Sequence, residues 1–224
     1  MNIISYTTNP FFLLLTTKSY LISLYLLQLF MKNKKPLVLK NPLIIYNIIQ
    51  ILLNIYMING LSSLPSVFNI FGLNTSYNKN LEYYTYIHYL SKYLDYCDTW
   101  FIILRKKTEQ LSFLHIYHHS SIGIVWGFLL YNKHGNGTGV FGCFINSIVH
   151  LFMYSHYLWT SLGYNNPFKK LITKMQITQF NLCLIHSIIV FFYETIFPYY
   201  YAWIQFIYQI QMIYLFSNFY IRKY

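Results

Sequence analysis

His115, His118 and His119 lie together in the stretch "FLHIYHHSS", residues 113–121, inside an apolar run. On a helix, the spacing i, i+3, i+4 sets three imidazoles on one face. Such a group has three kinds of chemistry open to it. Two or more rings can ligate a metal ion. One ring can act as a general base. A neutral ring can also attack a carbonyl and carry an acyl group. The reference pKa of imidazole is about 6.5, so the neutral ring is abundant at cytosolic pH. Desolvation favours that neutral form further.

Three more stretches carry polar side chains at helical spacing. "KYLDYCDT" holds Lys92, Asp95, Asp98 and Thr99 near one face. "NSIVHLFMYSHY" holds Asn146, His150, Met153, Tyr154 and Tyr157 on one face. "TKMQITQF" brings Thr173, Gln176, Gln179 and Phe180 to one face. Asp95 or Asp98 suits the task of orienting one imidazole tautomer. Asn146 and a second imidazole suit the stabilising of an oxyanion or enolate.

The elements that must position these groups are membrane helices. Hydrophobic residues make up 56% of the 224, and charged residues only 9%. That exceeds an ordinary soluble domain. Seven apolar segments are each long enough to span a bilayer: 10–31, 42–62, 84–104, 111–131, 140–162, 173–193 and 197–219. No period-2 alternation runs through them, which disfavours a strand barrel. The expected fold is all-α and integral to the membrane, with one domain over residues 1–224.

Net charge is +11, yet its placement argues against nucleic acid. Twelve of the sixteen basic residues fall on one side of the seven segments. They are Lys32, Lys34, Lys35, Lys40, Arg105, Lys106, Lys107, Lys169, Lys170, Lys174, Arg222 and Lys223. The positive-inside rule makes that side, with the C-terminus, cytosolic, and puts the N-terminus on the far side. At 1.5 Å per residue, Asp98, His118 and Gln179 then lie about 9–10 Å from the cytosolic ends of their helices, and His150 about 15–18 Å. Four antiparallel helices thus bring polar groups to a similar level nearer the cytosol, with His150 the deepest. Ionisable groups at such depth are functional candidates by default.

The remaining polar residues have plainer readings. Thr173 and Gln176 serve equally well as interhelical glue. His186 reads as a satisfied core group, and His88 and His134 as peripheral. Cys97, Cys143 and Cys183 read as apolar fillers, and their odd number argues against a disulfide framework. The first segment is too long for a signal-peptide core and lacks a basic leader, so it reads as a retained helix. Asn74-Thr75-Ser76 and Asn136-Gly137-Thr138 are sequons in the far-side loops. A single Ala, with abundant Ile, Asn, Lys and Tyr, has the look of AT-rich coding, which discounts motifs built from those types alone.

Alternatives to acyl transfer stay open on these residues. HxxHH also recurs in membrane desaturases and hydroxylases, where several boxes hold two irons. Here there are eight histidines but one box. A single zinc bound by His115, His119 and an Asp is geometrically conceivable. A non-enzymatic seven-helix receptor fits the topology, but does not need a carboxylate, His and Gln cluster at cytosolic depth.

From "KKPLVLKNPLIIYN" (34–47) to the C-terminus, the chain resembles the ELO family of membrane fatty acid elongases. The family's KxxExxDT appears as Lys92, Asp95, Asp98 and Thr99, and LHxxHH as Leu114, His115, His118 and His119. NxxxHxxMYxYY appears as Asn146, His150, Met153, Tyr154, His156 and Tyr157, and TxxQxxQF as Thr173, Gln176, Gln179 and Phe180. Two positions depart: Asp95 stands for Glu, and His156 for a Tyr. The resemblance implies a 3-ketoacyl-CoA synthase acting on acyl-CoA and malonyl-CoA without metal or cofactor. It implies a ring of segments two to seven around a substrate tunnel open to the cytosol. It implies residence in the endoplasmic reticulum membrane beside the ketoreductase, dehydratase and enoyl reductase of the elongation cycle, and is compatible with a homodimer. His118 is then the acyl carrier, with His115, His119 and Asp98 tuning it. His150 and Asn146 would polarise carbonyls, and Lys92, Asp95, Thr99, Tyr154, Tyr157, Gln176 and Gln179 would support the site or bind substrate. Arg105, Lys106, Lys169 and Lys170 would meet CoA phosphates.

Overall fold

The computed structural model describes residues 3–62, 72–75, 77–165 and 167–224. Among them all regular structure is helical: α1 (Ile3–Thr7), α2 (Pro10–Met31), α3 (Lys40–Ser62), α4 (Lys79–Leu94), α5 (Tyr96–Leu104), α6 (Phe113–Tyr131), α7 (Gly139–Ser161), α8 (Lys169–Tyr193) and α9 (Tyr199–Lys223). A 3-10 turn at Thr108–Gln110 precedes α6. Six of the seven expected segments coincide with single helices to within a few residues. The short α1 was not expected.

The third segment differs. It is two helices, α4 and α5, that meet at Asp95. The Asp95 N–H still donates to the Ser91 carbonyl (2.9 Å), four residues back, but the Asp98 N–H donates to Asp95, three back (3.1 Å). The ladder tightens to 3-10 spacing inside the KxxDxxDT motif, and such tightening marks strained or functional turns.

Local chemistry sets the helix ends. Asn9 caps α2 by accepting from the Phe11 N–H (2.8 Å), with Pro10 at the first helical position. Ser112 caps α6 by accepting from the His115 N–H (3.2 Å). The histidine box therefore occupies the first two turns of α6. Three helices end in the same device, in which a residue of positive φ closes a six-to-one hydrogen bond. Those residues are Lys106 (φ 52°), Lys133 (φ 61°) and Gly163 (φ 101°). The closing bonds run from Lys107 to Ile102, from His134 to Leu129 and from Tyr164 to Trp159.

Among the described residues, three helices are long and apolar enough to cross a membrane by length and composition: Pro10–Met31, Lys40–Ser62 and Lys169–Tyr193.

The helices fall into two compact units, Met1–Pro42 with Tyr86–Gly135, and Leu43–Thr85 with Asn136–Tyr224. In the first, α2 packs on α5 and α6. A run of tyrosines joins these helices. Tyr20 stacks on Tyr96 (3.9 Å, 17°), Tyr96 meets Tyr93 edge-on (5.6 Å), and Tyr93 meets Tyr89 edge-on (5.1 Å). The Tyr89 hydroxyl donates to the Thr7 carbonyl. His88 is not peripheral, contrary to expectation. It is buried and edge-on to Trp126 (4.9 Å), because an imidazole in this apolar setting packs as an aromatic ring.

In the second unit, α7 packs on α8 and α8 on α9. His186 is fully buried, stacked on Phe141 (4.3 Å) and bonded to the Gln205 amide (3.3 Å), as a satisfied core group should be. The turn joining α8 to α9 is clamped by Asn74. Its Oδ1 accepts from both the N–H (2.9 Å) and the hydroxyl (2.7 Å) of Thr195. Its backbone N–H donates to Glu194 Oε2 (2.8 Å). Asn74 opens one sequon, whose Ser76 lies outside the described residues. Cys97, Cys143 and Cys183 are free thiols, the last two buried.

Candidate active site

In the first unit, α6 carries the three box histidines as one contiguous group. The His115 and His119 ring centroids are 4.3 Å apart, and His118 meets His119 nearly perpendicular at 5.3 Å. His119 is buried, while His115 and His118 are half-buried. The i, i+3, i+4 spacing thus does what the sequence requires of it.

The α4–α5 break supplies the partners. Thr99, fully buried, brings its Oγ1 to 2.8 Å from His115 Nε2. A hydroxyl therefore bonds this ring. On its other side Thr99 Oγ1 lies 2.7 Å from the Tyr20 hydroxyl. Lys92 Nζ lies 3.5 Å from Asp95 Oδ2, and both side chains are buried. Asp98 lies half-buried in the first turn of α5. Arg105 and Lys106 follow at the end of α5, both half-buried, and the Lys106 ammonium donates to the Lys32 carbonyl (3.2 Å).

In the second unit, α7 and α8 carry the other polar residues. The Asn146 amide donates to Gln179 Oε1 (3.4 Å), and Gln176 donates to Met153 Sδ (3.5 Å). His150 is buried and edge-on to the fully buried Tyr154 (5.7 Å). Tyr157 is exposed, edge-on to Tyr154, and His156 is half-buried against Tyr157. Lys169 and Lys170 are exposed, with the Lys170 ammonium over the Tyr220 ring at 5.6 Å.

Sequence reading missed a stripe on α3. Tyr46, Gln50 and Asn54 recur every four residues, and all are buried. Gln50 Nε2 donates to the Tyr46 hydroxyl (2.9 Å) and to the Tyr154 hydroxyl (3.3 Å), and Asn54 donates to the Gln50 carbonyl (2.8 Å). The spacing rule that picked out the other stripes finds this one too. Tyr20 was missed for lack of any motif around it.

Among the described residues, no group of three or more His, Cys, Asp or Glu side chains is placed to hold a metal ion. What the first unit offers is a set of three adjoining imidazoles, tilted or edge-on to one another, one anchored by a buried hydroxyl, with a buried ion pair in the preceding motif. Apolar helices of this kind define a multi-pass membrane protein.

The chain belongs to the ELO family, described as the GNS1/SUR4 family, whose model matches residues 5–224. It is 46% identical over 201 residues to fatty acid elongase 5 of Leishmania major, covering 90% of this chain and 80% of that relative. It is 45% identical over 204 residues to fatty acid elongase 4 of Trypanosoma brucei brucei, covering 91% and 81%. Very long chain fatty acid elongase 5 of Homo sapiens is 34% identical over 214 residues, covering 92% and 71%. The chain is a fatty acid elongation enzyme of the membrane.

Proposed function

We propose that this chain condenses acyl-CoA with malonyl-CoA to give 3-ketoacyl-CoA, CoA and CO2, with His118 as the acyl carrier. One observation carries the assignment to His118. Of the three box rings, His119 is buried, whereas His118 is half-buried and occupies the position in the box that the family resemblance assigns to the acyl carrier.

In the first step a neutral His118 nitrogen attacks the thioester carbonyl. CoA leaves as the thiol, taking the proton that the imidazole gives up, and an acyl-imidazole remains. In the second step malonyl-CoA loses CO2, and the carbanion left at its α-carbon attacks the acyl carbonyl. The C–N bond to His118 breaks, and the departing ring takes a proton from solvent to return to neutral imidazole. His119 and His115 hold the orientation of His118. His150 and Asn146 are assigned to polarise carbonyl oxygens as negative charge develops on them. Arg105, Lys106, Lys169 and Lys170 are assigned to CoA phosphates. Neither metal nor cofactor is needed for these steps.

The chain crosses the endoplasmic reticulum membrane seven times in this reading, with its N-terminus luminal and its C-terminus cytosolic. The basic residues concentrated on one side support that orientation. Its product, a 3-ketoacyl-CoA, calls for a ketoreductase, then a dehydratase and an enoyl reductase.

The test is His118→Ala assayed with labelled malonyl-CoA in microsomes. Condensation should fall at least about 1000-fold, as for loss of a covalent nucleophile. A rate near wild type would reject the assignment. Mass spectrometry after incubation with acyl-CoA alone should find the acyl group on His118, which separates two-step transfer from direct condensation.

A further inference from the structure

We propose that Tyr20 is a positioning residue that fixes the tautomer of His115 through Thr99. The proposal rests on the box being the reacting group, as argued above. Tyr20 stands on α2, outside the stretch that carries the sequence motifs, and its hydroxyl reaches the box by a single intermediary. Tyr20 hydroxyl to Thr99 Oγ1 is 2.7 Å, and Thr99 Oγ1 to His115 Nε2 is 2.8 Å.

The direction of the chain follows from the donor inventory. Threonine has one hydroxyl proton to give. The phenolic O–H is more acidic than an aliphatic one, and so is the better donor. Tyr20 therefore donates to Thr99, and Thr99 donates to His115 Nε2. Each bond polarises the next. The Nε2 lone pair is occupied, and the N–H of the neutral ring sits on Nδ1. His115 is thereby withdrawn from competing with His118 as nucleophile, and is held as a fixed neighbour 4.3 Å from His119.

Burial makes the chain hard to replace. Tyr20 is 2% exposed and Thr99 0%. Water does not substitute for the phenol there, so Thr99 would lose its donor outright. The rest of Tyr20 is locked by the stack on Tyr96 at 3.9 Å, which α2 delivers by packing on α5. Helix α2 thus contributes a hydroxyl to the site as well as apolar surface.

Two variants of the stacked pair separate positioning from packing. Tyr20→Phe keeps the ring and removes only the hydroxyl. Tyr96→Phe does the same to the other ring, leaving the Tyr20–Thr99–His115 chain intact. Tyr20→Phe should lower kcat for condensation about three- to tenfold with KM for malonyl-CoA unchanged. Tyr96→Phe should leave both at wild-type values. With 15N-labelled histidine, the His115 signal, assigned by its loss in His115→Gln, should report the Nδ1–H tautomer in wild type and a mixture in Tyr20→Phe. An unchanged tautomer in Tyr20→Phe, or an equal loss of kcat in Tyr96→Phe, overturns the proposal. If the wild-type protein shows no condensation, the proposed reaction fails, and the tautomer measurement still decides the role of Tyr20.

Discussion

Lys92 Nζ lies 3.5 Å from Asp95 Oδ2, and the two side chains are 2% and 1% exposed. This pair bridges the end of α4 and the break at Asp95, one turn before Thr99. Two charges so buried are tolerated only together. Lys92→Met leaves the Asp95 carboxylate buried without its ammonium. The expected cost is about 3–5 kcal/mol. Detergent-solubilised protein should show a large fall in Tm by tryptophan fluorescence, and microsomal activity should fall with it. Lys92→Met/Asp95→Leu removes both charges and should recover most of the loss, since replacing a whole buried pair is often near neutral. A double variant as unstable as the single one would show that the residues do not act as a pair.

Much of this architecture is legible in the sequence, because length and apolarity alone place membrane helices. The box is legible for a different reason. His115, His118 and His119 are rare residue types in an apolar run, and their spacing admits one helix face. What escaped reading is built from common types. Tyr46, Gln50 and Asn54 were hidden because a chain rich in Asn and Tyr discounts such residues, although their periodicity is as good as that of Asn146 and His150. Tyr20 is one of 25 tyrosines, and only its contact with Thr99 distinguishes it. The break at Asp95 is also invisible to periodicity. A single i−3 bond replaces an i−4 bond there without changing which residues share a face.

Lys133 closes α6 with φ 61°, a conformation that costs an L-residue roughly 1 kcal/mol and costs glycine almost nothing. Gly163 already fills the same role after α7. Lys133 is exposed and far in sequence from the box. Lys133→Gly should therefore stabilise the protein by about 1 kcal/mol, less the entropy glycine adds to the unfolded chain. The expected readout is a small rise in Tm with unchanged condensation rate. A fall in Tm would mean that the Lys133 side chain contributes more than its backbone costs.

Lys169 and Lys170 open α8 as exposed cations, and topology alone accounts for cations on that side. Binding and topology make different kinetic predictions. If these ammonium groups meet CoA phosphates, Lys169→Ala/Lys170→Ala weakens substrate and transition state alike. KM for acyl-CoA or malonyl-CoA then rises about three- to tenfold, while kcat stays near wild type. The contact is solvent-exposed, so raising ionic strength should shrink the difference between variant and wild type. The Lys170 ammonium also lies over the Tyr220 ring at 5.6 Å, so its loss removes a cation–π contact as well as a charge. Unchanged KM values for both substrates, with correct insertion shown by protease protection, would assign these two lysines to orientation only. The CoA phosphates would then fall to Arg105 and Lys106 at the end of α5, where the same kinetic comparison applies.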